Sequence, residues 1–177
     1  MRTFKLLPVV LLLFLAGSLE AQNKKDKKIM KDAVKAKKTL LKTSPGLERF
    51  FDNSAGYVIF PNVGKGGLII GGASGNGVVY LQGGEAIGMA DLKKINVGFQ
   101  AGGQSIIEAI FFETEVDLDR FKEGKFAFEA SVSAVALKSG VAANAKYVDG
   151  VAVFALPKAG LMADASVGGQ KFGYSSF

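Results

Sequence analysis

From Gly56 onward the chain is a series of short apolar runs broken at close intervals by glycine, and this pattern rules out most folds. The chain has 23 glycines, and several doublets lie within apolar stretches: Gly66-Gly67, Gly71-Gly72, Gly102-Gly103 and Gly168-Gly169. Ala127, Ala130, Ala134 and Ala136 add small side chains in the same manner. Small residues in strands allow close backbone approach, bulges and tight curvature. No long helical pattern alternates with the runs, so a layered α/β sheet is disfavoured. The expected fold is α+β: a predominantly antiparallel, strongly curved, barrel-like sheet with an N-terminal amphipathic helix and one or two short helices.

Local signals divide the body further. Tyr57-Val58-Ile59-Phe60 reads as a strand that Pro61-Asn62 stops, and Asn76-Gly77 reads as a hairpin turn between residues 68–70 and 78–81. Further strands are expected at 96–101, 105–112, 126–136, 141–147, 150–156 and 160–167. A short helix near Val116–Lys122 has Thr114 as N-cap and Asp117 at the capping-box position. Ser44-Pro45 opens another, with Leu47, Phe50 and Phe51 on its inner side. Glu129-Ala130-Ser131-Val132 is echoed by Asp164-Ala165-Ser166-Val167, which suggests similar hairpins.

Ahead of this body, charge is concentrated. Lys24 to Lys42 holds nine lysines and two aspartates, a local charge of +7, whereas Thr43 to Phe177 carries 11 Lys/Arg against 13 Asp/Glu. At 100° per residue, Ile29, Ala33, Ala36 and Leu40 share one line of a helix, flanked by Met30, Val34 and Leu41. Lys24, Lys27, Lys28, Lys31, Lys35, Lys38 and Lys42 fall within about 100° on the opposite side. Lys37 falls inside the apolar stripe. Such a helix can dock its apolar side on its own domain, insert it partly into a membrane, or simply keep its lysines wet. Lysines facing anionic headgroups gain ~1 kcal/mol each.

The first residues set the expected compartment. Arg2 and Lys5 precede an apolar run from Leu6 to Gly17, and Leu19-Glu20-Ala21 ends in a small residue. A spanning helix needs roughly 20 apolar residues, so residues 1–21 read as a cleaved signal peptide. Residues 22–55 then form the basic helix and a second short helix, and 56–177 the Gly-rich β domain, with 22–177 as one unit. Leu15-Ala16-Gly17-Ser18 resembles a lipoprotein box with serine in the cysteine position. The chain has no cysteine, so a thioether lipid anchor is excluded and the expected location is periplasmic or envelope-associated, as a non-lipoprotein. Export also removes nucleic acid as the partner of the basic segment.

Composition removes further chemistry. Without Cys or His there is no disulfide, thiolate nucleophile, imidazole base or Ser-His-Asp triad. Gly64-Lys65-Gly66-Gly67 lacks the Walker spacing. Glu113, Glu115, Asp117 and Asp119 lack a calcium-loop spacing and suit a helix N-terminus. Ser105 with Glu108 lacks a supporting base. No catalytic residue, metal ligand or cofactor is expected, and the chain reads as a non-enzymatic binding protein.

Several motifs in order then resemble the SYLF domain family. Gly56-Tyr57-Val58-Ile59-Phe60-Pro61-Asn62-Val63 with Gly67 resembles its opening strand, and Gly71 to Val78 its Gly-rich hairpin. Val97-Gly98-Phe99-Gln100-Ala101-Gly102-Gly103-Gln104-Ser105 resembles its G-x-Q-x-G-x-Q run. Gly124-Lys125-Phe126, Ala130-Ser131-Val132 and Gly160-Leu161 also fit, so the likeness covers roughly residues 33–177. The resemblance implies a predominantly β lipid-binding domain with N-terminal helices, whose bacterial members are envelope proteins for which phospholipid binding is the usual proposal. Its eukaryotic members bind phosphoinositides and in some cases actin, a partner not carried over to an exported chain. The expected partner is the anionic phospholipid surface of the cell envelope, met by Lys24, Lys27, Lys28, Lys31, Lys35, Lys38 and Lys42. The alternative is an envelope structural or protein-interaction module that contacts a protein partner without specific lipid binding.

Overall fold

A computed structural model describes residues 7–66, 70–97, 104–124, 135–137, 141–159 and 170–177. Helix α1 runs Leu7–Thr43 and continues without a break across residues 21 and 22. Its apolar side supplies Ala33, Ala36 and Leu40, all buried, with Ile29, Met30 and Leu41 partly buried beside them. The stripe is narrower than the helical projection implies, since Val34 is 53% exposed. A 3-10 turn at Pro45–Leu47 leads into α2, Glu48–Asn53. Proline opens this segment as expected, but Ser44 makes no side-chain cap bond. Leu47, Phe50 and Phe51 are buried.

Six strands pair antiparallel: β1 (Gly56–Gly66), β2 (Ile70–Leu81), β3 (Ala86–Val97), β4 (Gln104–Phe112), β6 (Val151–Ala159) and β7 (Gln170–Ser176). The two-residue β5 (Val135–Ala136) lies parallel to β6. The order is β5-β6-β4-β1-β2-β3-β7, and the two edges do not pair among the described residues. The α+β class and mainly antiparallel sheet agree with the sequence expectation.

Both faces of the sheet are covered, which is why its strands read as nearly unbroken apolar runs. Successive side chains alternate between faces. Tyr57, Ile59, Val78, Ile107, Ala109, Phe111 and Phe154 pack under α1 and α2. Val58, Phe60, Val79, Ile110, Phe112 and Val153 pack on the other side with Leu118 and Phe121 of α3, Glu115–Lys122. Thr114 and Asp117 form the expected capping box at its start. Side chains from distant strands meet on this second face: the Phe60 and Phe172 rings are 6.0 Å apart, and Gln170 Nε2 donates to Glu108 Oε2 at 3.2 Å.

Three local expectations are corrected. Pro61 does not stop the strand. β1 runs on to Gly66 with one extra residue between Ile59 and Val63 against both neighbours, and a bulge is where a strand tolerates proline. Asn76-Gly77 is not a turn but lies inside β2, where Asn76 pairs with Asn62 and with Asp91. Gly77 is required there by crowding, since a Cβ would lie 2.7 Å from both the Ile59 carbonyl oxygen and the Phe60 ring. The tight β2–β3 connection instead uses Gly83 and Gly84, at φ of 85° and 92°. Finally, 141–147 is not a strand: Val141–Asn144 is a 3-10 turn, tied to α2 by the Arg49 guanidinium donating to the carbonyls of Ala142 and Ala145.

The expected strand at 105–112 matches β4 closely, and that at 150–156 the first part of β6. The expected 96–101 strand overlaps only the end of β3, the remainder lying outside the described residues. The 160–167 strand, nearly all of 126–136 and both Ala-Ser-Val segments also lie outside them. Strand β7 and most of β3 carried no signal in the sequence reading.

Candidate functional site: a basic helix face above a cleft

Docking of α1 by its apolar side decides what its other side can do. Lys24, Lys27, Lys28, Lys31, Lys35, Lys38 and Lys42 are all exposed. At 1.5 Å rise per residue, the span from Lys24 to Lys42 makes a cationic strip about 27 Å long. Lys28 forms an ion pair one turn along with Asp32 at 2.8 Å. That hydrogen bond, aided by the charges of Lys28, Lys35 and Lys158, holds the Asp32 carboxyl below the usual carboxylate range against the opposing effect of burial.

Lys37, the exception in the helical projection, is half-buried and plays a different part. Its ammonium lies 4.4 Å from the Phe51 ring centroid and 5.0 Å from that of Tyr57, and it donates to the Tyr57 hydroxyl at 3.1 Å. The aliphatic stem is thereby used as packing while the charge rests on aromatic faces. Burial pulls the Lys37 ammonium below its ordinary pKa, with Asp52 acting in the opposite sense. Lys37 fastens the helix to α2 and β1 rather than extending the strip.

Along one flank of α1, between the lysine strip and the buried stripe, lies a cleft of about 620 Å³. Lys28, Asp32, Lys35 and Thr39 form its helical wall, and Asn62 and Lys158 come from β1 and β6. Lys158 Nζ donates to Asn62 Oδ1. In the sequence Lys158 carries no signal, and Asn62 enters only with Pro61 as an expected strand stop and within the opening-strand motif, not as a candidate site residue.

The other motifs take structural places. Gly64, Lys65 and Gly66 belong to β1, with Gly64 opposite Ser74. Glu115 and Asp117 lie in the first turn of α3. Ser105 and Glu108, three residues apart on β4, point to opposite faces; Glu108 is 0% exposed and bonded to Gln170. Among the described residues no group of three or more acidic side chains is arranged to hold a metal. Among the same residues no helix is long and apolar enough to cross a membrane.

Fold and site together define a class: an α+β protein whose basic amphipathic helix is docked on a mainly antiparallel sheet with its lysines facing outward. No known family model matches the chain. Residues of this chain are similar to Beta cell expansion factor A of Aeromonas veronii, at 28% identity over 135 residues. The match takes in 75% of this chain and 51% of that protein, so the chain spans about half the length of this relative.

Proposed function

We propose that this is an exported, non-enzymatic, SYLF-type lipid-binding protein that associates reversibly with anionic phospholipid at the cell envelope. The observation that carries the reading is the division of α1. Its apolar side is consumed by the sheet, while all seven lysines of the opposite side remain exposed. An amphipathic helix free to insert would bring its apolar face to the bilayer; here attraction to headgroups is the available mode, worth ~1 kcal/mol per lysine near the surface. The strong, barrel-like curvature of the sheet belongs to the same reading. It is supported by the Glu108–Gln170 bond, because four ladder steps from β4 to β7 would separate flat strands by about 19 Å.

The test is co-sedimentation of the protein with phosphatidylglycerol-containing vesicles and with purely zwitterionic ones. Retention by the anionic vesicles, released as salt screens the charges, is expected. Equal retention by both would refute the electrostatic mode. No retention by either would leave the envelope protein-partner reading in its place.

A further inference from the structure

Two β-bulges converge on one side of α1. In β1 the extra residue lies between Ile59, opposite Val78, and Asn62, opposite Asn76. It reverses the alternation, so that Val63 joins the core with Val58 and Phe60 while Asn62 turns to the α1 side and lines the cleft. In β6, Pro157 pairs with Ile106 and Ala159 with Ser105, leaving Lys158 as the extra residue. Strand β4 separates β1 from β6, yet Lys158 Nζ and Asn62 Oδ1 are hydrogen-bonded across it. Bulges are a recurrent way of re-aiming a side chain at a site. Here the β1 bulge turns the Asn62 carboxamide to the α1 side, where the Lys158 ammonium, in phase with Phe154 and Leu156 along β6, joins it in facing Lys28 and Lys35 of the helix across the same cleft.

We propose that this cleft seats the phosphate headgroup of a single membrane glycerophospholipid, with Lys35 and Lys158 as its cationic jaws and Asp32 as the internal anion that the headgroup must displace. The proposal rests on the lipid-binding reading above and adds to it a discrete site partly built from the sheet. Charge complementarity selects the occupant: three lysines against one aspartate line the cleft, a net positive charge that suits a phosphodiester. Ammonium groups bind phosphate as point charges, with the amide donor of Asn62 available alongside, while the Thr39 hydroxyl already donates to the Lys35 carbonyl. Ile107 and Leu156 supply an apolar floor for the glycerol and the first acyl carbons. Asp32 already occupies the ammonium of Lys28 at 2.8 Å. It therefore stands where the incoming phosphate needs the cations, and its charge opposes binding.

A diffuse strip and a seated headgroup respond differently to single substitutions. On a strip, each lost lysine costs the same, about fivefold in affinity. The experiment compares the full chain with Lys158→Gln, Lys38→Gln and Asp32→Asn on phosphatidylglycerol-containing vesicles, with thermal melting to confirm that the exposed substitutions leave the fold intact. The soluble headgroup glycerophosphoglycerol is titrated in parallel and followed by NMR at Asn62 and Lys158. Lys158→Gln is expected to weaken vesicle binding by about tenfold more than Lys38→Gln, and Asp32→Asn to tighten it by at least about fivefold. The soluble headgroup should shift the Asn62 and Lys158 resonances in the wild type and leave that of Asn62 unshifted in Lys158→Gln. Equal losses for Lys158→Gln and Lys38→Gln, with wild-type vesicle binding intact, would overturn the cleft and leave the lipid reading standing. Failure of the wild type to bind vesicles would overturn both, and headgroup binding in that case would make the cleft a site for soluble phosphodiesters instead.

Discussion

Replacing Lys24, Lys27, Lys31 and Lys38 together with glutamine separates the basic strip from the fold that displays it. All four are exposed, and none takes part in an ion pair among the described residues. Glutamine and lysine have nearly the same helix propensity, and surface substitutions away from buried features change stability by ~0.5 kcal/mol or less. Melting behaviour should therefore be nearly unchanged. Membrane affinity should not. At ~1 kcal/mol per lysine the quadruple variant loses about 4 kcal/mol, close to a thousandfold in Kd. Lys28, Lys35 and Lys42 remain, so residual binding at low salt is expected.

The assay is co-sedimentation with phosphatidylglycerol-containing vesicles across a salt series. The strip is about 27 Å long, while the screening length falls from about 30 Å at 0.01 M salt to about 10 Å at 0.1 M. Wild-type binding should thus fall steeply over that interval and the variant's much less. A variant with unchanged melting that binds within about threefold of wild type, on the same salt slope, would refute an electrostatic role for this face.

Three further outcomes test how the strip is held. Leu40 is fully buried beneath α1, so Leu40→Ala should cost about 3 kcal/mol in urea unfolding; a loss under about 1 kcal/mol would mean that the helix is not docked as described. Gly77→Ala forces a Cβ to within 2.7 Å of the Ile59 carbonyl oxygen and the Phe60 ring. A destabilisation of about 2 kcal/mol is expected by the same measurement, whereas a true turn position would accept alanine only with a different, positive-φ penalty. The Tyr80 hydroxyl is pushed up to about 12 by burial and then by the charge that would form on Tyr57, whose ring stacks on it at 5.0 Å. Its folded pKa exceeds the unfolded value, so its contribution is whole below about pH 10 and is lost as pH rises toward about 12. With Tyr80 buried, that loss is on the order of 2–3 kcal/mol, and Tyr80→Phe should remove this part of the alkaline decline in urea unfolding.

Much of the framework was legible because local chemistry and tertiary need coincide there. The α1 stripe of Ala33, Ala36 and Leu40 is periodic and buried, and Thr114 with Asp117 satisfies the α3 amides through a purely local motif. Misreadings fall where glycine or proline answers to a neighbour strand. Asn76-Gly77 resembles a turn, but its glycine is set by the β1 backbone beside it. Pro61 resembles a stop, but the bulge removes the need for its missing N–H. The 141–147 segment has strand-like composition and becomes a 3-10 turn through Arg49, nearly a hundred positions earlier in the chain. Lys37 broke the helical pattern for a reason visible only once Phe51 and Tyr57 lay beneath it.

The same distinction separates the two parts of the candidate site. The lysine strip is a property of one helix, so a helical projection finds it. The cleft is a property of three segments, and Asn62 reaches it only because the bulge in β1 changes which way the backbone presents it. An evenly charged helix face favours any anionic surface and has little means of choosing among phosphates. On the proposal above, the cleft flanked by Asn62 and Lys158 discriminates through Asp32, which penalises any anion that does not displace it from Lys28. Attraction and discrimination then reside on adjoining sides of one helix, and Lys28 and Lys35, shared by strip and cleft, are where the first would pass into the second.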